Sequence, residues 1–268
     1  MVLFSCKRLL LCWLTTAALF VLLSHTTQAQ GALQLREKAK LDDCYRVVGN
    51  DSVVFFYSDD YLLTPPGCAA IRRHVRLDSA GRFFGYVRDY RLANNQLLLQ
   101  GAYRAGQLEG QLEVYHDTGE LAARGQYRQG RQVGDWGYWY PSGKRRQVLS
   151  FRNGQEPLIQ QFWNETGQQL VTGGNGTWYR DETGMRLSGR VVNGIPDGRL
   201  VLRRHDDGSL VIRETYAKGR FRNGVVTETL EVYDNVARLP ISDWQAYPQA
   251  EEYVVNLACP PVEPDSKK

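Results

Sequence analysis

Hydrophobic and polar residues alternate in short runs along most of this chain, and turn-forming residues interrupt the runs at short intervals. Segments such as Ser52–Tyr57 and Arg72–Leu77 are rich in β-branched and aromatic residues, which is typical of strands. Breaks such as Thr64–Gly67 separate these segments. Long amphipathic helical patterns are hard to find. The pattern therefore predicts an all-β fold.

A short motif, an apolar or aromatic residue followed by two residues and a glycine, recurs along the chain. Tyr103–Gly106, Tyr127–Gly130 and Phe151–Gly154 are spaced by 24 residues, and Val191–Gly194 and Tyr216–Gly219 are later copies. A second marker, an aromatic residue followed four residues later by a glycine, keeps the same phase. Two markers with one period indicate an internal repeat.

The glycines of both markers predict hairpin turns. Asp, Asn or Ser begins a type I turn, and the glycine after it adopts a positive φ without a steric clash. The turn glycines predicted in this way are Gly106, Gly119, Gly130, Gly143, Gly154, Gly167, Gly184, Gly194, Gly208 and Gly219. Two turns per unit leave strands of ordinary length. We therefore expect an elongated antiparallel meander of stacked β-hairpins that grows by one hairpin per unit.

Aromatic residues recur at two places in the unit. They form a predicted ladder of Tyr103, Tyr115, Tyr127, Trp139, Phe151, Trp163 and Tyr179. Each hairpin is marginal alone, so rings stacked between neighbours stabilise the array. The same rings offer an alternative role as a surface that stacks on sugars or peptides.

The period breaks between Gly154 and Gly194, where 40 residues separate the two glycines instead of 48. We expect the unit at 158–173 to lack about eight residues and its second turn. The glycine-rich run Val171–Gly176 predicts a kink or a change of twist at this point.

The pattern Gly-x-Trp/Leu-x-x-Tyr/Trp-x-x-x-Gly, followed by an aromatic residue, two residues and a glycine, resembles the MORN repeat in its bacterial variant form. The resemblance covers Gly85 to Gly224. It implies a single-layer β-sheet used for protein–protein contact or scaffolding. The bacterial variant is also similar to the antitoxin component of toxin–antitoxin modules.

The N-terminus has the features of a secretory signal at residues 1–29. Lys7 and Arg8 precede the apolar run Leu9–Leu23, and Ala29 ends a typical cleavage site. An uncleaved membrane anchor is the alternative, but the run is shorter than the roughly 20 residues that span a membrane. We therefore expect a secreted, periplasmic or cell-envelope protein with no stable membrane insertion after cleavage.

The segments on either side of the repeats differ from them in pattern. Residues 30–84 are expected to form a β capping segment, and residues 85–224 contain the repeats. Residues 225–259 are predicted to add a last strand and a short helix, at Thr227–Tyr233 and Asp243–Val254. The charged, proline-rich residues 260–268 should be disordered.

The net charge argues against a nucleic-acid partner, and the cysteine count limits the disulfides that can form. The net charge is +4, and loss of Lys7 and Arg8 with the signal leaves +4 − 2 = +2, too weak for a nucleic-acid binder. An exported chain retains Cys44, Cys68 and Cys259, of which one pair can form a disulfide. Cys44 and Cys68 bracket the first folded segment and are the expected pair.

Catalytic and metal motifs are missing from the sequence. It contains no G-x-S-x-G, Walker or H-E-x-x-H motif and no C-x-x-C pair, so we expect a non-enzymatic protein without a cofactor or bound metal. Three binding functions remain. They are a protein-binding scaffold, an antitoxin- or immunity-like binder of a secreted toxin, and a glycan-binding module. The glycan hypothesis uses Trp136, Trp139, Trp163 and Trp178 as exposed stacking residues.

Overall fold

The computed structural model describes residues 39–152, 156–235 and Cys259. The predicted signal segment, Gly154, the C-terminal helix and the tail at 260–268 lie outside these residues. The described chain forms 17 strands: β1 Tyr45–Val47, β2 Ser52–Tyr57, β3 Ile71–Leu77, β4 Phe83–Arg91, β5 Leu97–Arg104, β6 Gln107–Tyr115, β7 Leu121–Arg128, β8 Arg131–Trp139, β9 Arg145–Phe151, β10 Leu158–Trp163, β11 Gln169–Thr172, β12 Asn175–Glu182, β13 Met185–Val192, β14 Ile195–Arg204, β15 Leu210–Ala217, β16 Arg220–Val226 and β17 Val232–Tyr233. Two 3-10 turns, Leu41–Cys44 and Pro66–Cys68, complete the described elements.

All 17 strands belong to one antiparallel sheet, and each strand pairs with its neighbours in the chain. The predicted all-β meander of consecutive hairpins is confirmed. The sheet is open, since β1 pairs only with β2 and β17 only with β16. Residues 39–84 contribute β1–β3 and the start of β4 to this same sheet. The last strand, β17, is shorter than the predicted Thr227–Tyr233.

Turns of two kinds alternate between the two edges of the sheet. The short-turn edge has two-residue turns such as Ala105–Gly106, where both residues have positive φ, 52° and 84°, as a type I′ turn requires. The long-turn edge has turns such as His116–Gly119, where the Gly119 N–H donates to the His116 carbonyl at 2.8 Å. The repeated sequence therefore encodes both reversals of the chain.

At the short-turn edge, the turn of one unit also forms hydrogen bonds with residues of the preceding unit. The Gln129 N–H donates to the Glu109 carboxylate at 2.8 Å, and the Gly130 N–H donates to the Leu108 carbonyl at 3.0 Å. The Lys218 N–H donates in the same way to Asp197 at 3.0 Å. These bonds satisfy turn amides that strand pairing leaves unused, and they fix the register between units.

The shortened unit keeps both of its turns, so the prediction that it lacks the second one is wrong. Thr172 pairs with Asn175 across a Gly173–Gly174 turn. The glycines adopt positive φ angles of 55° and 79°, which suits a two-residue turn. The unit is shorter because its strands are shorter: β11 has only four residues.

One face of the sheet, the inner face, carries the core. Its aromatic residues lie opposite glycines with positive φ on the preceding strand, in the pairs Gly85–Tyr103, Gly110–Tyr127, Gly134–Phe151 and Gly198–Tyr216. A second set of glycines leaves room for large side chains 11 residues further on, in the pairs Gly101–Leu112, Gly125–Trp136 and Gly189–Leu200. In these pairs a glycine and a large side chain therefore fill the inner face together.

The cysteine pairing differs from the predicted one. Cys68 forms a disulfide with Cys259, 191 residues later, and Cys44 is free and buried. The Cys44 side chain belongs to the hydrophobic core, and its thiol contacts the Lys40 carbonyl at 3.3 Å. Burial raises the pKa of the Cys44 thiol to about 11, so this group is an inert core residue. Nearness along the chain was the wrong criterion, because the fold directs Cys44 inward.

Candidate functional site

The predicted turn glycines lie in the turns of both edges. The nine that the structure describes have φ angles between 69° and 94°. Gly154 lies outside the described residues. These glycines shape the backbone and contribute no side chain to a binding surface.

The predicted aromatic ladder divides between the two faces of the sheet. Tyr103 and Tyr127 are buried on the inner face, and Phe151 packs against the same core. Tyr115 and Trp139 each follow an inner-face residue directly and therefore point to the other, outer face. The two recurring positions have different surroundings, although they share one period.

The rings of Trp163 and Tyr179 each carry an arginine, and Tyr179 also packs against the core at Phe162, with ring centres 4.9 Å apart. Trp163 carries the guanidinium of Arg145 at 5.6 Å from its ring centre, and Tyr179 carries that of Arg186 at 4.1 Å. A ring that is already stacked in this way offers less bare surface to a sugar.

Two of the four tryptophans in the glycan hypothesis are not exposed. Trp136 is 0% exposed and Trp178 is 1% exposed. Both lie on the inner face opposite the glycines of the neighbouring strand, Gly125 and Gly189. The prediction that they stack on a ligand is wrong, because their rings fill the core.

Arg72 and Arg73 are consecutive residues of β3, so their side chains point to opposite faces of the sheet. Arg73 points inward, is fully buried and forms two hydrogen bonds with Asp89, each 2.7 Å long. The rings of Tyr57 and Tyr61 lie within 5.1 and 5.8 Å of its guanidinium. Burial alone lowers the pKa of Arg73, but the Asp89 carboxylate outweighs it and raises that pKa. This ion pair is a structural element of the core.

Exposed apolar side chains on the outer face gather near the short-turn edge. Here, Val48, Phe84 and Tyr86 are 62%, 44% and 65% exposed. Three basic residues, His74, Arg76 and Arg88, lie among them on β3 and β4 and line the same cleft, of about 470 Å³. We call these six residues the outer patch. Large apolar groups at such exposure on a rigid sheet are typical of an interaction surface.

The basic residues of the outer patch differ in whether a carboxylate pairs with them. Arg76 donates to Asp51 at 2.8 Å and lies over the Phe84 ring at 5.5 Å. Arg88 lies over the Tyr86 ring at 5.7 Å, and no carboxylate of the described residues forms an ion pair with it. Burial, reinforced by Arg72, lowers the pKa of His74, so this imidazole is neutral near pH 7. The patch therefore presents one uncompensated positive charge at Arg88.

A polar network borders the outer patch. Glu113 accepts hydrogen bonds from Gln100 at 2.7 Å and Tyr115 at 2.8 Å, and it pairs with Arg124 at 2.8 Å. Burial alone raises the pKa of Glu113, but these donors hold it below its ordinary value. Tyr86 and Arg88 line the adjoining cleft of about 310 Å³ beside this carboxylate.

The outer patch lies outside the residues that mark the repeat, so the repeat pattern does not predict it. A usable signal was present in Phe83–Arg88, where two aromatic residues stand side by side at Phe83 and Phe84. Since neighbours on a strand face opposite sides, one of two adjacent rings has to lie on the outer face. Tyr86 and Arg88 follow on that same face.

No other class of site is evident in the described part of the chain. Among residues 39–152, 156–235 and Cys259, no three His, Cys, Asp or Glu side chains are grouped so that they could bind a metal ion. None of these residues forms a helix long and apolar enough to cross a membrane. The sequence matches no protein-family model, and no curated protein is significantly similar to it. The resemblance to MORN repeats therefore stays a prediction that rests on the residues.

Proposed function

We propose that this chain is a non-enzymatic protein-binding scaffold and that the outer patch is its contact surface. One observation carries the proposal: Val48, Phe84 and Tyr86 are exposed together, and Phe84 and Tyr86 lie on β4, which is hydrogen-bonded to a strand on each side. Burying such side chains against a partner is favourable by about 25 cal/mol per Å² of apolar surface. Because paired strands lose little conformational freedom on binding, more of that free energy appears as affinity.

An exported location is part of the same proposal. The signal-like first 29 residues support it, and so does the Cys68–Cys259 disulfide, since such bonds persist mainly in oxidising compartments. An immunity-like binder of a secreted toxin would be one form of this function. A toxin gene beside this one would favour that form.

Affinity capture from the native organism tests the proposal. The full chain, its Tyr86→Ser variant and a matched control, Arg190→Glu on the outer face of β13, are each used as bait. We expect a partner that the wild type and the control retain and that Tyr86→Ser loses. A partner bound equally by all three baits would place the contact surface elsewhere, and recovery of none would contradict a scaffold function.

A further inference from the structure

The charge and shape of the outer patch restrict what can bind there. On β4, Phe84, Tyr86 and Arg88 occupy alternate positions, so their side chains leave the outer face at intervals of about 6.5–7 Å. An extended polypeptide has the same repeat. The patch therefore matches the side chains along one face of an extended segment.

The last position of this row defines the charge of the ligand. Arg88 is exposed, and its guanidinium is stacked on Tyr86 with its hydrogen-bond donors left for another group. A carboxylate accepts two parallel hydrogen bonds from such a fork. Arg76 adds positive potential nearby, although Asp51 already pairs with it.

The apolar residues of the outer patch indicate that the ligand also has apolar side chains. Val48 and Phe84 line the cleft together with Tyr86 and leave apolar surface in contact with water. A ligand with charge alone would leave that surface in contact with water, and an apolar side chain two residues from its carboxylate, on the same face, would cover it.

We propose that the outer patch binds an extended, acidic segment of a partner protein that carries apolar side chains and a carboxylate two residues apart, on one face. This inference rests on the proposed scaffold function and specifies the chemistry of its partner. Arg88 receives the carboxylate, and the Val48–Phe84–Tyr86 wall receives the apolar side chains that lie two and four residues from it on the same face.

A nucleic acid fits the same surface less well. Binding to a phosphate backbone draws on several uncompensated Lys and Arg side chains in a row. Within the outer patch Arg76 is paired with Asp51, which leaves Arg88 as the one arginine of the patch without a counter-charge among the described residues. The apolar wall also has no counterpart in a phosphodiester chain.

Fluorescence anisotropy with defined peptides tests the inference. The probe is a labelled Glu-Ser-Phe-Ser-Val-Ser-Glu peptide, whose charged and apolar side chains share one face when it is extended, and the comparison peptides replace both Glu by Lys or both apolar residues by Ala. We expect the full chain to bind the acidic apolar peptide at least about tenfold more tightly than either comparison peptide, with affinity falling as salt increases.

Variants locate the binding on the chain. Arg88→Glu and Arg88→Gln should each weaken binding by about tenfold or more, since a charge-assisted hydrogen bond is lost, whereas Arg190→Glu should bind like the wild type. Equal melting temperatures of the three variants show that folding is unaffected, and Arg88→Gln serves alone if Arg88→Glu does not fold.

Three results would overturn the inference: equal binding of the Lys peptide, full binding by both Arg88 variants, or displacement of the acidic peptide by an oligothymidylate. If the peptides fail while a cellular partner is still lost on Tyr86→Ser, the partner's chemistry is wrong and the scaffold function stands. If the capture experiment fails as well, both proposals are wrong.

Discussion

Gly125 offers the sharpest test of how the repeat packs. A Cβ atom added at this strand glycine would lie 2.0–2.4 Å from three ring atoms of Trp136. Real Cβ atoms do not approach that closely, so Gly125→Ala has to displace the indole. Trp136 has little room to move, because Tyr127, Tyr138 and Phe151 surround it with ring centres 5.3–6.3 Å away.

The expected cost follows from this crowding. Overpacking a closed core costs about 1–3 kcal/mol in the free energy of unfolding. For a folded region of about 200 residues, each kcal/mol lowers the melting temperature by about 2–4 °C. We therefore expect Gly125→Ala to melt about 2–12 °C below the wild type. Gly67→Ala is the matched control, because a Cβ at Gly67 meets no atom within 4 Å.

A double-mutant cycle assigns the cost to the indole. Trp136→Ala alone should cost about 3–5 kcal/mol, since it opens a cavity. If the two side chains compete for one space, the double variant Gly125→Ala/Trp136→Ala is more stable than the sum of the single effects by about 0.5–3 kcal/mol. Differential scanning calorimetry and denaturant titration measure these values. A Gly125→Ala protein as stable as the wild type, or strict additivity, would refute the packing that we describe.

Three further predictions concern the buried ion pair, the outer-face carboxylate and the disulfide. Asp89→Asn leaves Arg73 buried without a counter-charge and should cost about 3–5 kcal/mol in urea titration; a cost below about 1 kcal/mol would argue against it. The folded pKa of Glu113 is lowered, so its stabilising contribution is present above the unfolded pKa and is lost as pH falls through the folded pKa. The stability gap between the wild type and Glu113→Gln should therefore shrink as the solution is acidified, and a constant gap would contradict this origin. Loss of the Cys68–Cys259 loop should cost about 2–5 kcal/mol, so Cys68→Ser and the reduced wild type should melt together, below the oxidised wild type.

The repeat itself was predictable because its signals are local. A two-residue turn needs positive φ at both positions, and glycine supplies one of them, as at Gly106 and Gly130. The 24-residue spacing of Tyr103, Tyr127 and Phe151 then follows from two strands and two turns per unit. The turn residues and the spacing both lie within one unit, so the sequence of that unit is enough to predict them.

A second packing rule is also present in the sequence. Gly101, Gly125 and Gly189 each precede their large core partner by 11 residues. Where Leu149 replaces the glycine, the residue 11 positions later is Gln160 instead of a large core side chain. The turn glycines predict the hairpins, whereas these strand glycines indicate which large side chains are buried.

Other features depend on the assembled sheet. The Cys68–Cys259 pairing joins residues 191 positions apart, and no local pattern specifies which cysteine turns inward. The outer patch is formed by β3, β4 and the residue that follows β1, and none of these segments shows the full repeat. The residues of the patch can be grouped only once the strand register is known, since that register places Arg76 opposite Phe84.

Photo-crosslinking in the native cell tests the outer patch as a contact surface most directly. A benzoylphenylalanine residue replaces Tyr86 in one version of the full chain and Arg190 in the other, and peptide mapping identifies the partner residues that are joined to it. We predict that position 86 crosslinks to an acidic segment of one partner protein and that position 190 does not. Crosslinks at position 190 alone, or at both positions to the same unrelated proteins, would contradict the account.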